Sequence, residues 1–91
     1  MDNEYLLDFS NITTKEDVQE FIYDVLNFPE YYGKNLDALY DCLTDMSKCS
    51  ITLTGIDVLY DMGDYGKKLI KVFQNAAKDN ENICLFVEDT D

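Results

Sequence analysis

Short apolar runs alternate with helical patterns along the chain, and this order constrains the fold more than any other feature of the sequence. The patterns predict a strand, two helices, a strand, two helices and a final strand. The strands are expected at residues 5–9, 50–54 and 83–87. Because strands separated by helices pair in parallel through right-handed crossovers, we expect an α/β fold in which about four helices cover a three-stranded parallel sheet.

The predicted helices carry start and stop signals. Thr13 and Glu16 have the spacing of a capping box, which indicates that a helix begins there. Pro29 ends this helix, because the residue before a proline is disfavoured in the helical region. Asn35 is a favoured residue type for an N-cap, so a second helix is expected from residue 36 to about residue 45. Two further helices are expected over residues 56–62 and from about 63 to 78.

The composition is both acidic and apolar. The 91 residues include 7 basic residues, all of them Lys, against 19 Asp or Glu, for a net charge of −12, and 46% are hydrophobic. The apolar fraction is too high for a chain that is disordered and acidic throughout. The length predicts one domain over residues 1–91. The charge opposes binding to nucleic acid and to anionic membranes. It favours a strongly basic protein partner.

The residue types that are missing restrict the chemistry. Without His, the chain has no Ser-His or Cys-His catalytic pair and no His-ligated zinc. Cys42, Cys49 and Cys84 form no C-x-x-C motif, so we expect mostly buried thiols in a reducing compartment, without a metal or cofactor. No signal-peptide pattern or run of ~20 apolar residues is present, which favours a cytoplasmic protein. The acidic residues 88–91 are expected to form a solvated tail.

The second helix carries a line of carboxylates. Asp37, Asp41 and Asp45 recur every four residues and therefore lie on one side of the helix. Like charges at this spacing cost a helix about 0.2–0.5 kcal/mol per pair, and only Lys34 and Lys48 lie near enough in sequence to neutralise them in part. Another side of the helix should face the core and carries Leu36, Leu39, Tyr40 and Leu43. The core is also expected to contain the phenylalanines at positions 21, 28, 73 and 86.

The loop before this helix is aromatic. Tyr31 and Tyr32 precede Gly33, and we expect both rings to be exposed, as anchor residues of an interface are. Together the loop and the carboxylates favour a docking surface for a basic partner. A simple solvated face remains open as an alternative, and so does a catalytic carboxylate pair formed by Asp37 and Asp41.

A family resemblance is strongest in residues 29–44, which read PEYYGKNLDALYDCLT and closely resemble the signature segment of the barstar family. Members of this family are intracellular inhibitors of barnase-type, guanyl-specific ribonucleases. The similarity extends more weakly over the whole chain, including Val72, Phe73 and Ala76 in the last predicted helix. The resemblance implies three parallel strands with four helices, which is the order that the residue patterns predict independently.

The resemblance also implies a role for individual side chains. Asp41 would occupy the nuclease subsite that receives a substrate phosphate, and Asp37 would bind a second basic group nearby. Tyr31 would lie against the catalytic histidine of the nuclease. Close backbone and packing contacts would come from Gly33, Asn35 and Leu36.

The chain departs from the family pattern at several positions. Tyr40 stands where the prototype has Trp, a change that a core-facing position tolerates. Asn75 stands where the prototype has an interface acid, so at best a hydrogen bond replaces a charge contact. Met46, Ser47 and Cys49 replace larger residues of the interface rim. The expected partner-binding set is Tyr31, Gly33, Asn35, Leu36, Asp37, Asp41, Asp45 and Asn75.

The function implied by the resemblance is that of a ribonuclease inhibitor, not an enzyme. The chain would bind a basic, extracellular-type ribonuclease like barnase, or a related toxin nuclease. An acidic helix and its preceding loop would block the active site, with carboxylates imitating RNA phosphates. We expect a monomer when free, with no direct contact to nucleic acid or membrane. A non-inhibitory acidic module that binds another basic protein remains the alternative.

Overall fold

Helices and strands follow one another in the order that the sequence predicts. The computed structural model describes residues 3–88. In chain order the elements are β1 (Asn3–Asp8), α1 (Lys15–Leu26), α2 (Leu36–Thr44), β2 (Cys49–Thr54), α3 (Asp57–Asp61), α4 (Asp64–Asp79) and β3 (Ile83–Val87). Each strand, and each helix end that was predicted at a stated residue, lies within a few residues of the predicted position. The expected acidic tail falls, apart from Glu88, outside the described residues.

The three strands form a parallel sheet in the order β1-β2-β3. The register places Leu6 beside Thr52, and Thr52 beside Phe86. Both crossovers step in the same direction across the sheet, so right-handed connections place all four helices on one of its faces. The predicted α/β fold, a three-stranded parallel sheet with four helices, is confirmed.

The two faces of the sheet differ in burial as this topology requires. Leu7, Ile51 and Leu53 point towards the helices and are fully buried, whereas Leu6 and Phe86 are 60% and 55% exposed on the other face. The prediction that Phe86 lies in the core was wrong. Successive side chains of a strand point to opposite faces, and Phe86 points to the face that no helix covers.

The helices pack their apolar sides onto the covered face. From α4, Leu69, Phe73 and Ala76 are buried in this core. Gly66 lies in the first turn of α4, where α3 approaches so closely that a Cβ atom at this position would lie 1.6 Å from the carbonyl oxygen of Leu59. Only glycine fits this contact, so Gly66 is what allows α3 to pack against α4.

The ends of α1 show which local signals were read correctly. Thr14, not Thr13, is the N-cap, and its hydroxyl accepts a hydrogen bond from the N–H of Asp17 at 3.1 Å. At the other end Asn27 adopts the left-handed conformation, with φ 55°, and closes the helix. Pro29 follows two residues later. The predicted stop is therefore confirmed, whereas the predicted start was one residue too early.

The three cysteines have different surroundings. Cys49 is buried, Cys42 is half-buried and Cys84 is exposed. The expectation of mostly buried thiols was wrong for Cys84, which lies on the uncovered face of β3. Within residues 3–88, no helix has both the length and the hydropathy needed to cross a membrane. The same part of the chain holds no cluster of three His, Cys, Asp or Glu side chains suited to a metal ion.

Candidate functional site

The acidic face of α2, which consists of Asp37, Asp41 and Asp45, is exposed along its whole length. Asn35 begins the helix, because its Oδ1 accepts a hydrogen bond from the N–H three residues later at 2.8 Å, and the predicted N-cap is confirmed. The helix ends at Thr44, so Asp45 is its C-cap. The helix therefore holds short carboxylate side chains in a fixed row on the protein surface.

Lys34 does not neutralise this acidic face. Its ammonium group forms an ion pair with Glu20 on α1 and lies 5.4 Å from the centre of the Tyr23 ring. The hydrogen bond to Glu20 raises the pKa of Lys34. No other ion pair forms among the described residues, so no lysine there pairs with the acidic face. The expectation that Lys34 offsets these charges was wrong, because α1 provides a nearer carboxylate.

The two tyrosines of the loop point in opposite directions. Tyr31 is 85% exposed, as expected, but Tyr32 is only 5% exposed. The Tyr32 ring stacks on Tyr23 with 6.1 Å between ring centres and packs against Phe28 at 5.0 Å. The expectation that both rings are exposed was therefore wrong for Tyr32. One tyrosine is available to a partner, and the other attaches the loop to the core.

A groove separates the loop from the acidic face. Tyr31, Asp41 and Asp45 contribute to its lining, and its volume is about 480 Å³. Its apolar parts come from Leu26, Phe28, Pro29 and Met46. Asp37 lies outside it. The structure thus brings together an exposed ring and two carboxylates over apolar side chains, an arrangement that suits a cationic side chain with an apolar body.

Sequence reasoning did not identify the apolar lining of this groove. Phe28 was expected in the core, and Met46 was noted only as a smaller replacement at the interface rim. Phe28 lies two residues after the end of α1 and Met46 two residues after the end of α2, and both line the groove. The available signal was Pro29, which ends the preceding helix and so leaves Phe28 in the same loop as the tyrosine pair.

The other predicted site residues lie outside the groove. Gly33 is exposed and Leu36 is half-buried in the first turn of α2. Lys34 adopts the left-handed conformation, with φ 55°, whereas Gly33 does not. A Cβ atom at Gly33 would lie 3.1 Å from the side-chain nitrogen, Nδ2, of Asn35. Asn75 is exposed on α4, the helix that packs against α2, but it does not line the groove.

The inner side of α2 is held by α4 and the turn that follows it. The amide of Asn80, a buried side chain, donates hydrogen bonds to the carbonyl oxygens of Leu43 and Met46, each at 3.1 Å. The Leu43 carbonyl also accepts the N–H of Met46 at 3.1 Å, and the Asn80 amide adds a donor to each of these two carbonyl groups, which a helix C-terminus leaves short of partners. The hydroxyl of Tyr40 donates to the carboxylate of Asp79, which raises the pKa of Tyr40. Sequence analysis did not identify Asn80 as a support of α2.

Comparisons with known proteins cover nearly the whole chain. A family model described as Barstar (barnase inhibitor) matches residues 3–89. A Bacillus subtilis (strain 168) protein named "Putative ribonuclease inhibitor YrdF" is 37% identical over 75 residues, which cover 79% of this chain and 79% of that protein. These matches confirm the expectation that the chain is an inhibitor and not an enzyme. The chain belongs to the barstar family.

Proposed function

We propose that this chain binds a basic barnase-like ribonuclease, or a related toxin nuclease, and blocks its active site with the acidic face of α2 and the preceding loop. The observation that carries the proposal is the row formed by Asp37, Asp41 and Asp45, which is exposed and pairs with no lysine among the described residues. The net charge of −12 would steer a basic partner towards this surface.

The proposed mechanism is imitation of RNA phosphates. A nuclease active site holds basic groups that receive phosphates, and carboxylates fixed on a helix can accept the same hydrogen bonds. Such bonds between ionised groups are short and about twice as strong as neutral ones. Because α2 fixes the spacing between Asp37 and Asp41 before binding, little side-chain freedom is lost when the complex forms. The inhibitor itself contacts no nucleic acid.

The groove supports a second part of the proposal. A ring that protrudes from the nuclease, which the family resemblance identifies as its catalytic histidine, could lie against Tyr31 with Asp41 and Asp45 nearby. The apolar lining would remove water from this contact and strengthen the charge interactions. The inhibitor is proposed to act as a monomer in the cytoplasm of the cell that produces the nuclease.

The decisive experiment is titration of the chain against barnase and against any basic nuclease encoded beside its gene, with RNA cleavage as the readout. We expect tight inhibition, and we expect Asp41→Ala to weaken binding by about 2–5 kcal/mol, the range found when one partner of a buried charge pair is removed. Asn75→Ala is the matched control and should change binding much less. Association should slow with added salt while dissociation changes little.

Three results would count against this function. Absence of binding at low salt by every basic nuclease tested would contradict it outright. Equal losses from Asp41→Ala and Asn75→Ala would show that the assigned roles are wrong. A complex that forms but leaves RNA cleavage intact would identify a non-inhibitory binding module instead.

A further inference from the structure

The binding loop, defined as residues 27–35, is attached to α1 through its inward-facing side chains. Tyr32 packs on Tyr23, and Lys34 pairs with Glu20. Tyr31, directly before the first of these anchors, points outward. The position of the exposed ring therefore depends above all on how firmly the adjacent Tyr32 is held.

Gln19 holds the innermost of these contacts. It lies on α1, is 4% exposed, and has both ends of its amide bonded. Its carbonyl oxygen accepts a hydrogen bond from the hydroxyl of Tyr32, and its nitrogen donates to the hydroxyl of Tyr65 on α4 at 2.6 Å. One buried amide thus joins the binding loop, α1 and α4 in a single chain of hydrogen bonds.

We propose that Gln19 is a positioning residue for the nuclease-binding surface, holding Tyr32 so that Tyr31 is fixed in its binding position before the partner arrives. This inference rests on the function proposed above. Gln19 touches no partner in this scheme and acts only through the loop.

An apolar residue at this position would not serve the same purpose. The Tyr32 hydroxyl is buried, and burial raises the pKa of this group above that of a solvated tyrosine. Without Gln19 it would lose its partner, and a buried polar group without a hydrogen bond favours any loop conformation that exposes it to water. The loop would then sample several conformations, and ordering it on binding would reduce affinity.

Tyr65 is a weaker link in the same chain. It is only half-buried and lines an open pocket of about 260 Å³ together with Gln19, so water can replace the hydrogen bond that Gln19 gives it. Tyr32 has no comparable access to solvent. Loss of the Tyr65 hydroxyl should therefore matter less than loss of the Gln19 amide.

The test measures barnase binding kinetics for Gln19→Leu, Tyr65→Phe and the control Ile83→Val. Ile83 is buried in β3, and Ile83→Val lowers stability without touching the loop. We expect Gln19→Leu to raise the dissociation constant about two- to tenfold, since the loop must then be ordered when the complex forms. Tyr65→Phe should raise it less, and Ile83→Val should leave it unchanged at equal folded fraction.

A double-mutant cycle tests whether Gln19 acts through the exposed tyrosine. In the Gln19→Leu background, Tyr31→Ala should cause a smaller loss of affinity than in the wild type, whereas the loss from Asp37→Ala should be unchanged. Independent, additive losses for Gln19 and Tyr31 would overturn the proposal. So would wild-type affinity in Gln19→Leu.

Amide hydrogen exchange provides a readout that needs no nuclease. The N–H of Tyr32 donates to the carbonyl of Pro29 at 3.0 Å, and in Gln19→Leu this amide should exchange faster while the amides of β2 are unaffected. Exchange that rises equally in loop and sheet would overturn the positioning role. If the wild type fails to bind barnase, the proposed function fails there, and this measurement still decides whether Gln19 fixes the loop.

Discussion

The two sides of α2 differ in burial, charge and hydrogen bonding, although both belong to one helix of nine residues. On the inner side, Leu39 and Leu43 are completely buried, and Asn80 and Asp79 supply hydrogen bonds from outside the helix. The outer side is the acidic face, which is exposed and pairs with no lysine among the described residues. Buried leucines and hydrogen bonds fix the inner side of the helix, whereas its outer side presents carboxylates that pair with no lysine among the described residues.

This difference separates folding from binding within one short helix. Substitutions on the inner side should reduce the free energy of unfolding and leave the affinity of the folded molecules unchanged. Substitutions on the acidic face should reduce affinity and leave stability unchanged or slightly improved. A variant that violates this division would show that the two sides are coupled, and the following predictions test the division from the largest effect to the smallest.

The largest effect is expected from Leu43→Ala. Loss of a fully buried leucine leaves a cavity, and such changes reduce the free energy of unfolding by about 2–5 kcal/mol. Urea denaturation measures the change, and barnase titration at low temperature measures the affinity of the molecules that remain folded. An affinity loss as large as the stability loss would contradict the separation of the two sides.

Asn80→Ala should have the next largest effect. It removes the donor of the half-buried Met46 carbonyl oxygen, whereas the Leu43 carbonyl keeps its hydrogen bond from the N–H of Met46 at 3.1 Å. An unsatisfied buried polar group costs about 1–3 kcal/mol. The matched control is Asn82→Ala at an exposed position of the same turn. Equal losses of unfolding free energy in the two variants would show that the Asn80 amide does not support α2.

Alkaline pH should reduce the stability that the inner side of α2 gains from Tyr40. The pKa of Tyr40 is raised in the folded protein, above its ordinary value of 10.0, because its hydroxyl donates to Asp79. The folded state therefore keeps this proton to higher pH than the unfolded state does. The contribution to stability is complete below about pH 10 and is lost as the pH rises through the folded-state pKa.

The control for this pH dependence is Tyr40→Phe, compared with the wild type by denaturant unfolding between pH 8 and pH 11, a range of about three units around the ordinary tyrosine pKa. The wild type should be the more stable protein below pH 10, and the difference should narrow above it. Tyr32 and Tyr65 also have raised pKa values, so both proteins should still lose stability at alkaline pH. A constant difference would exclude the Tyr40–Asp79 hydrogen bond as its source.

The smallest effect is expected from Asp41→Asn. This change removes repulsion with Asp37 and Asp45, each worth about 0.2–0.5 kcal/mol at this spacing, so the free energy of unfolding should rise slightly. The gain should disappear at high salt, where exposed charges are screened. A loss of stability at low salt would mean that Asp41 has a structural role that the exposed acidic face does not reveal.

The sequence was sufficient to predict α2 because the signals for this helix are local. The Asn35 cap, the four-residue spacing of the carboxylates and the burial of Leu39 and Leu43 all depend on residues within ten positions of one another. The order of elements was predictable for the same reason, since each strand and helix has its own periodicity.

The misread residues depend on contacts with distant parts of the chain. Tyr32 is buried because Gln19 and Tyr23 on α1 receive it, and Lys34 turns to Glu20 for the same reason. The exposure of Phe86 follows from the order of the strands, which no local pattern reveals.

The support that Asn80 gives to α2 also has a consequence for protein synthesis. The ribosome makes chains from the N-terminus, so the acidic face emerges before Asn80 and β3. Each pair of neighbouring strands is separated by two helices, and contacts between such distant segments form slowly. A nascent chain that still lacks residues 80–88 would present the carboxylates on a helix without the Asn80 hydrogen bonds at its C-terminal end. The acidic face therefore gains its full support only after residues 80–88 have been synthesised.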